Sequence, residues 1–134
     1  MREFERLAVL IACYVTMGCL VGGCERSVQE EESPGMRIKV EVLNGCAEPG
    51  IARKFSRMLR AKGFDVVNGD GSNAEHFGFL ETIVVDRCGE LEKAKKVAKV
   101  LGTKNTIQQV REAAYHVEEV TVVIGRDFKA LSVK

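Results

Sequence analysis

The chain has no tryptophan and only two tyrosines among its 134 residues. That scarcity argues against an aromatic platform for stacking sugars or nucleobases. Charge of one sign is lacking too. The formal net charge is +1, so nothing global calls for a nucleic-acid partner and none is expected. The two histidines, His76 and His116, are far apart and lack ligand spacing, so neither a metal site nor a cofactor is expected. No Ser-His-Asp arrangement, phosphate-binding loop or Cys-x-x-Cys pair occurs. Asp65, Asp70 and Asp86 have no spacing that suits paired-carboxylate chemistry. Gly69-Asp70-Gly71-Ser72-Asn73 is too short and unframed for a calcium loop. No catalysis is expected.

What is present begins with an export signal. Arg2 and Arg6 flank the start of an almost wholly apolar run, Leu7 to Val21. The run closes on Leu20-Val21-Gly22-Gly23-Cys24, the ending of a bacterial lipoprotein signal. Small residues before Cys24 let a peptidase grip extended backbone, and Cys24 then carries the lipid (palmitate-type acyl chains). Cys19 is a second candidate acceptor, but Thr16-Met17-Gly18 is a poorer lead-in. A plain membrane anchor is the alternative, although the run is somewhat shorter than the roughly 20 residues that span a bilayer. The expected layout is residues 1–23 signal peptide, 24–35 lipidated cysteine and acidic tether, 36–128 folded domain and 129–134 tail. The protein is then extracytoplasmic and membrane-anchored, with the choice of membrane left open.

Within the domain, Ile38, Val40 and Val42 alternate with charged residues, as in a half-buried strand. Asn44-Gly45 turns the chain, and Pro49 suits the first turn of a helix. Ile51, Phe55, Met58 and Leu59 share one helical face that Gly63 terminates. Phe64 to Val67 form a second strand, and 68–73 a flexible turn. Thr82 to Val85 form a third strand, apolar enough to be central. Leu91, Ala94, Val97, Ala98 and Leu101 mark a second helix closed by Gly102. Val120 to Ile124 are the last strand. Residues 106–117 fit a helix or a short edge strand, and the strand is favoured. The fold class is α+β: a two-layer sandwich in β-α-β-β-α-β-β order, with a mixed sheet of four or five strands and two helices on one face.

The segments Val40-Glu41-Val42-Leu43-Asn44-Gly45, Pro49-Gly50-Ile51-Ala52 and Leu59-Arg60-Ala61-Lys62-Gly63-Phe64-Asp65-Val66-Val67 follow one another at set distances. With Thr82 to Val85, Ala98 to Gly102 and Val120 to Phe128, the domain resembles the LytR C-terminal domain of LytR/CpsA/Psr cell-wall proteins, which also occurs alone in envelope proteins. The resemblance implies an envelope-located accessory domain without catalysis of its own. The glycopolymer-joining part of those proteins has no counterpart in the matching segments. Cys46 stands where that family usually carries a small or polar residue.

Two constellations remain. Cys46 and Cys88 each follow a strand and precede a helix. If the first and third strands are parallel neighbours, the two thiols meet at one sheet edge. A bridge there contributes about 4 kcal/mol in the chain-entropy model. A reactive thiol pair and two unpaired small apolar cysteines are the alternatives. The helices also carry lopsided polar faces: Arg53, Lys54, Arg57 and Arg60 on the first, Lys93 and Lys96 on the second. Such a surface suits peptidoglycan or an anionic wall polymer, although a merely solvated face has the same composition. The sequence therefore points to a polymer-binding envelope module. A protein–protein adaptor with an envelope partner is the alternative, and a thiol–disulfide protein ranks below it.

Overall fold

The computed structural model describes residues 36–112, 114 and 116–131. The expected signal peptide, the expected lipidation at Cys24 and the expected tether all fall outside the described residues. Among those described, no helix is long and apolar enough to cross a membrane.

Strand β1, Lys39–Asn44, buries Val40, Val42 and Asn44 on one face. Helix α1, Ile51–Ala61, begins after Gly50 in the left-handed region (φ 75°). Pro49 therefore lies in the turn before the helix, two residues ahead of its first residue, rather than in its first turn. Ile51, Phe55 and Leu59 are buried as the periodicity requires, and Ala52 and Ser56 join them. At the far end, Gly63 (φ 92°) lets the Phe64 amide donate to the Leu59 carbonyl, closing the helix.

Strand β2 is only Asp65–Val66, paired parallel to β1. The expected flexible turn holds a further two-residue strand, β3 (Ser72–Asn73), which also pairs with β1. Strand β4, Ile83–Asp86, leads to helix α2, Leu91–Leu101. Strand β5, Thr106–Gln108, decides the ambiguous segment in favour of a strand. Strand β6, Val120–Ile124, is followed by a 3-10 turn, Arg126–Lys129. The result is α+β with a six-stranded mixed sheet, one or two strands more than expected.

Both helices lie on one face, where Phe55, Leu59, Val97 and Leu101 pack against Val40, Val42, Val84, Val120 and Val122. Among the described residues, the other face carries no α-helix. Its middle is nonetheless closed, because Arg87 lies against Thr121 and Phe79 approaches Val123.

The strand order is β2-β1-β6-β4-β5. The expected neighbours β1 and β4 are separated by β6, parallel to β1 and antiparallel to β4. All five β6 residues are buried. A strand apolar on both faces is most stable in the middle of a sheet, where neither face meets water.

Candidate functional site

Two turns leave opposite ends of this sheet, and they are built alike. At the end of β1, the Asn44 Oδ1 accepts the Cys46 amide at 3.1 Å and its thiol at 3.5 Å. At the end of β4, the Asp86 Oδ1 accepts the Cys88 amide at 3.1 Å, its thiol at 3.4 Å and the Gly89 amide at 3.2 Å. Asp86 is fully buried. Burial by itself would raise its carboxyl, but hydrogen bonds from Gln108, from the Cys88 amide and thiol and from the Glu90 amide hold it below the ordinary value.

Both cysteines are free thiols, which corrects the expected bridge. β4 runs antiparallel to β1, with Ile83 opposite Val123 and Asp86 opposite Val120, while Asn44 lies beside Ile124. Cys46 and Cys88 therefore leave opposite ends of the strands, separated by more than about 13 Å of strand length. No disulfide spans that. The same separation removes the geometric basis for dithiol–disulfide exchange within the domain. The Cys88 thiol is pushed up first by partial desolvation, although the residue is exposed. The Asp86 carboxylate beside it adds to the rise, the opposite of an activated thiolate.

The six basic residues singled out in the sequence do not act as one surface. Arg53 meets Asp70 at 3.2 Å, and Arg60 reaches Asp70 at 3.9 Å. Arg60 also donates to the carbonyls of Val66 and Gly69, so it ties down the β2–β3 loop. Lys93 bridges Glu119 at 2.7 Å and Glu90 at 3.1 Å, and its ammonium is held well above the usual lysine range by those partners. These three cations are structural. Lys96 is exposed on α2. Lys54 and Arg57 are exposed on α1, with Lys62 just beyond it, and no carboxylate pairs with these three among the described residues.

A cavity of about 220 Å³ opens at the start of α1, lined by Asn44, Arg53, Asp70 and Ser72 among others. The Asp70 carboxylate already faces Arg53 there, so an anion gains nothing. A larger groove, about 450 Å³, runs between α2 and the start of β5. Lys95, Lys99 and Lys104 rim it, and Ala98, Gly102, Thr103 and Thr106 complete its lining. Sequence reading passed over Lys104 because it falls outside helical periodicity. Its position two residues beyond the helix-ending Gly102 was the available signal. Arg87, 6 % exposed, was missed as well. It donates to the Thr121 hydroxyl at 3.0 Å and the Gln109 side chain at 2.8 Å, and Thr121 donates to Glu41 at 3.1 Å. No group of three metal-ligating side chains occurs among the described residues.

Residues 37–128 match the family model described as the LytR cell envelope-related transcriptional attenuator. The chain belongs to the LytR C-terminal domain family. This LytR C-terminal domain is thus a cell-envelope-related accessory domain, as its sequence segments implied. Comparison with curated proteins and with solved structures finds no match. In this LytR C-terminal domain, the family segment Asn44-Gly45 forms the turn carrying Cys46, and Gly125-Arg126-Asp127-Phe128 supplies the N-cap and first three residues of the 3-10 turn after β6.

Proposed function

We propose that this LytR C-terminal domain is a non-catalytic envelope module that holds an anionic wall polymer, a peptidoglycan or anionic glycopolymer, against the outer side of α1. The observation that carries this reading is the set Lys54, Arg57 and Lys62, exposed cations with no carboxylate partner among the described residues. Helix α1 contains no acidic residue to neutralise them. An array of mobile cations binds a repeating polyanion through many weak contacts, and salt screens such contacts. The lipid at Cys24 and the acidic stretch 25–35 would tether the module to a membrane.

Sedimentation of the full chain, in neutral detergent, with purified cell wall tests the reading. Replacing Lys54, Arg57 and Lys62 together by Gln lowers the bound fraction several-fold, and raising salt to about 0.5 M does the same to the parent chain. Arg53 and Arg60 are left alone because they hold the β2–β3 loop. Equal pull-down by parent and variant at low salt refutes the α1 surface. Mass spectrometry of the native N-terminus checks the anchor, expected as an acylated Cys24.

A further inference from the structure

We propose that the outer edge of β5 accepts an extended acidic segment of a partner protein as an added β-strand. β5 ends the strand order, so among the described residues no strand pairs with its outer side. Its register with β4 fixes which main-chain groups are free. Asn105 accepts the Val84 amide and Gln109 donates to the Asp86 carbonyl, so 105, 107 and 109 face β4. By the alternation of a parallel ladder, Thr106, Gln108 and Val110 turn their N–H and C=O groups outward. Residues 106–110 include neither proline nor a charged side chain, the usual means of blunting an edge. At the opposite side of the sheet, β2 and β3 are only two residues each.

The chemistry of the occupant follows from what flanks the edge. On the helix side lies the groove rimmed by Lys95, Lys99 and Lys104, and Thr106 belongs to both groove and edge. Lys95 is partly answered by Glu92 at 2.7 Å. Lys99 and Lys104 have no carboxylate partner among the described residues. On the helix-free side Ile107, level with Val85 and 44 % exposed, presents apolar surface. An added strand therefore matches when acidic side chains alternate with apolar ones, acids toward α2 and apolar groups over Ile107. A second copy of β5 is a poor occupant, since it would bring another set of the same lysines to the rim. An anionic polymer would answer the lysines and leave the ladder unpaired.

The test uses the full chain in neutral detergent and two synthetic peptides of identical composition. One alternates Glu and Val over seven residues, and the other groups the Glu residues together. Fluorescence anisotropy reads affinity, and amide hydrogen exchange reads the edge. The alternating peptide binds at least about tenfold tighter than the grouped one. It also slows exchange at Thr106, Gln108 and Val110. Lys99→Gln with Lys104→Gln weakens it about fivefold. Gln108→Pro removes an outward donor and abolishes binding. Should that variant fail to fold, the exchange pattern of the parent chain decides alone. Equal affinity for both peptides, or no slowing at those three amides, overturns the proposal. So does unchanged binding by folded Gln108→Pro. Cell-wall sedimentation is unaffected by Gln108→Pro, so this edge and the α1 surface fail independently.

Discussion

Asn44 and Asp86 hold the same post at opposite ends of the sheet: each side-chain Oδ1 receives the amide and the thiol of the cysteine two residues later. Each turn then leads into a helix that lacks a side-chain cap of its own. The two half-domains thus repeat one device, strand then Asx turn then helix, although the strands that carry it run in opposite directions. A carboxylate serves at one end and an amide at the other. Only the carboxylate makes the turn sensitive to acid.

Asp86→Ala is expected to destabilise the domain by about 2 kcal/mol, since it orphans the Gln108 amide and the Cys88 and Gly89 N–H groups. The folded-state carboxyl is depressed from its ordinary 3.8. Its contribution is therefore complete above that value and is lost as pH falls through the depressed one. Urea unfolding across the acid range shows the slope: Asp86→Asn flattens it, and an unchanged slope places the acid sensitivity elsewhere.

With no bridge, Cys46→Ser together with Cys88→Ser changes stability by less than about 1 kcal/mol. Reductant leaves the melting temperature of the parent domain unchanged. A bridge closing that loop would instead make the double variant about 4 kcal/mol less stable. Thermal melts with and without dithiothreitol separate the two cases.

Gly125→Ala is expected to cost about 3 kcal/mol. A Cβ there would run into the backbone of Glu81, which the Thr82 network prevents from yielding. The Thr82 hydroxyl donates to Asp127 at 2.7 Å and accepts the Gly125 amide at 3.0 Å, and the Thr82 amide also reaches Asp127 at 2.9 Å. Chemical denaturation of the variant measures the loss, and parent-like stability would show that the β6 turn shifts freely.

Arg60→Ala should cost about 1 kcal/mol, because it frees the Val66 and Gly69 carbonyls of the β2–β3 loop. Asp70→Ala should cost about 0.5 kcal/mol or less, since its pairs with Arg53 and Arg60 are exposed. If the Asp70 variant proves the weaker, charge pairing rather than carbonyl capping holds the loop.

Much of the fold was legible because its signals are local. The spacing of Ile51, Phe55 and Leu59 depends on one helix alone, and so does the stop at Gly63 or Gly102. The candidate site was less legible. Arg53, Arg60 and Lys93 look like a cationic surface in one dimension. Their partners are acids on other segments: Asp70 in the β2–β3 loop for the arginines, and Glu119 before β6 for Lys93. Arg87 gave no warning at all, because its burial depends on Thr121 and Gln109 arriving from elsewhere.

Periodicity, turn residues and family segments were enough to determine most element types, the two-layer class and the family, since each is written within a few neighbouring residues; strand β3 and the type of segment 106–117 were not. Which strands touch was settled only in three dimensions. β6 lies between β1 and β4 because its five residues must all escape water, and that choice pairs Glu41 with Thr121 from 80 positions away. It also reverses β4 relative to β1, parts the two cysteines and leaves β5 last in the strand order of the described residues, beside the lysines of α2. Pairings over such distances are set by the burial of whole strands together, which no local pattern records.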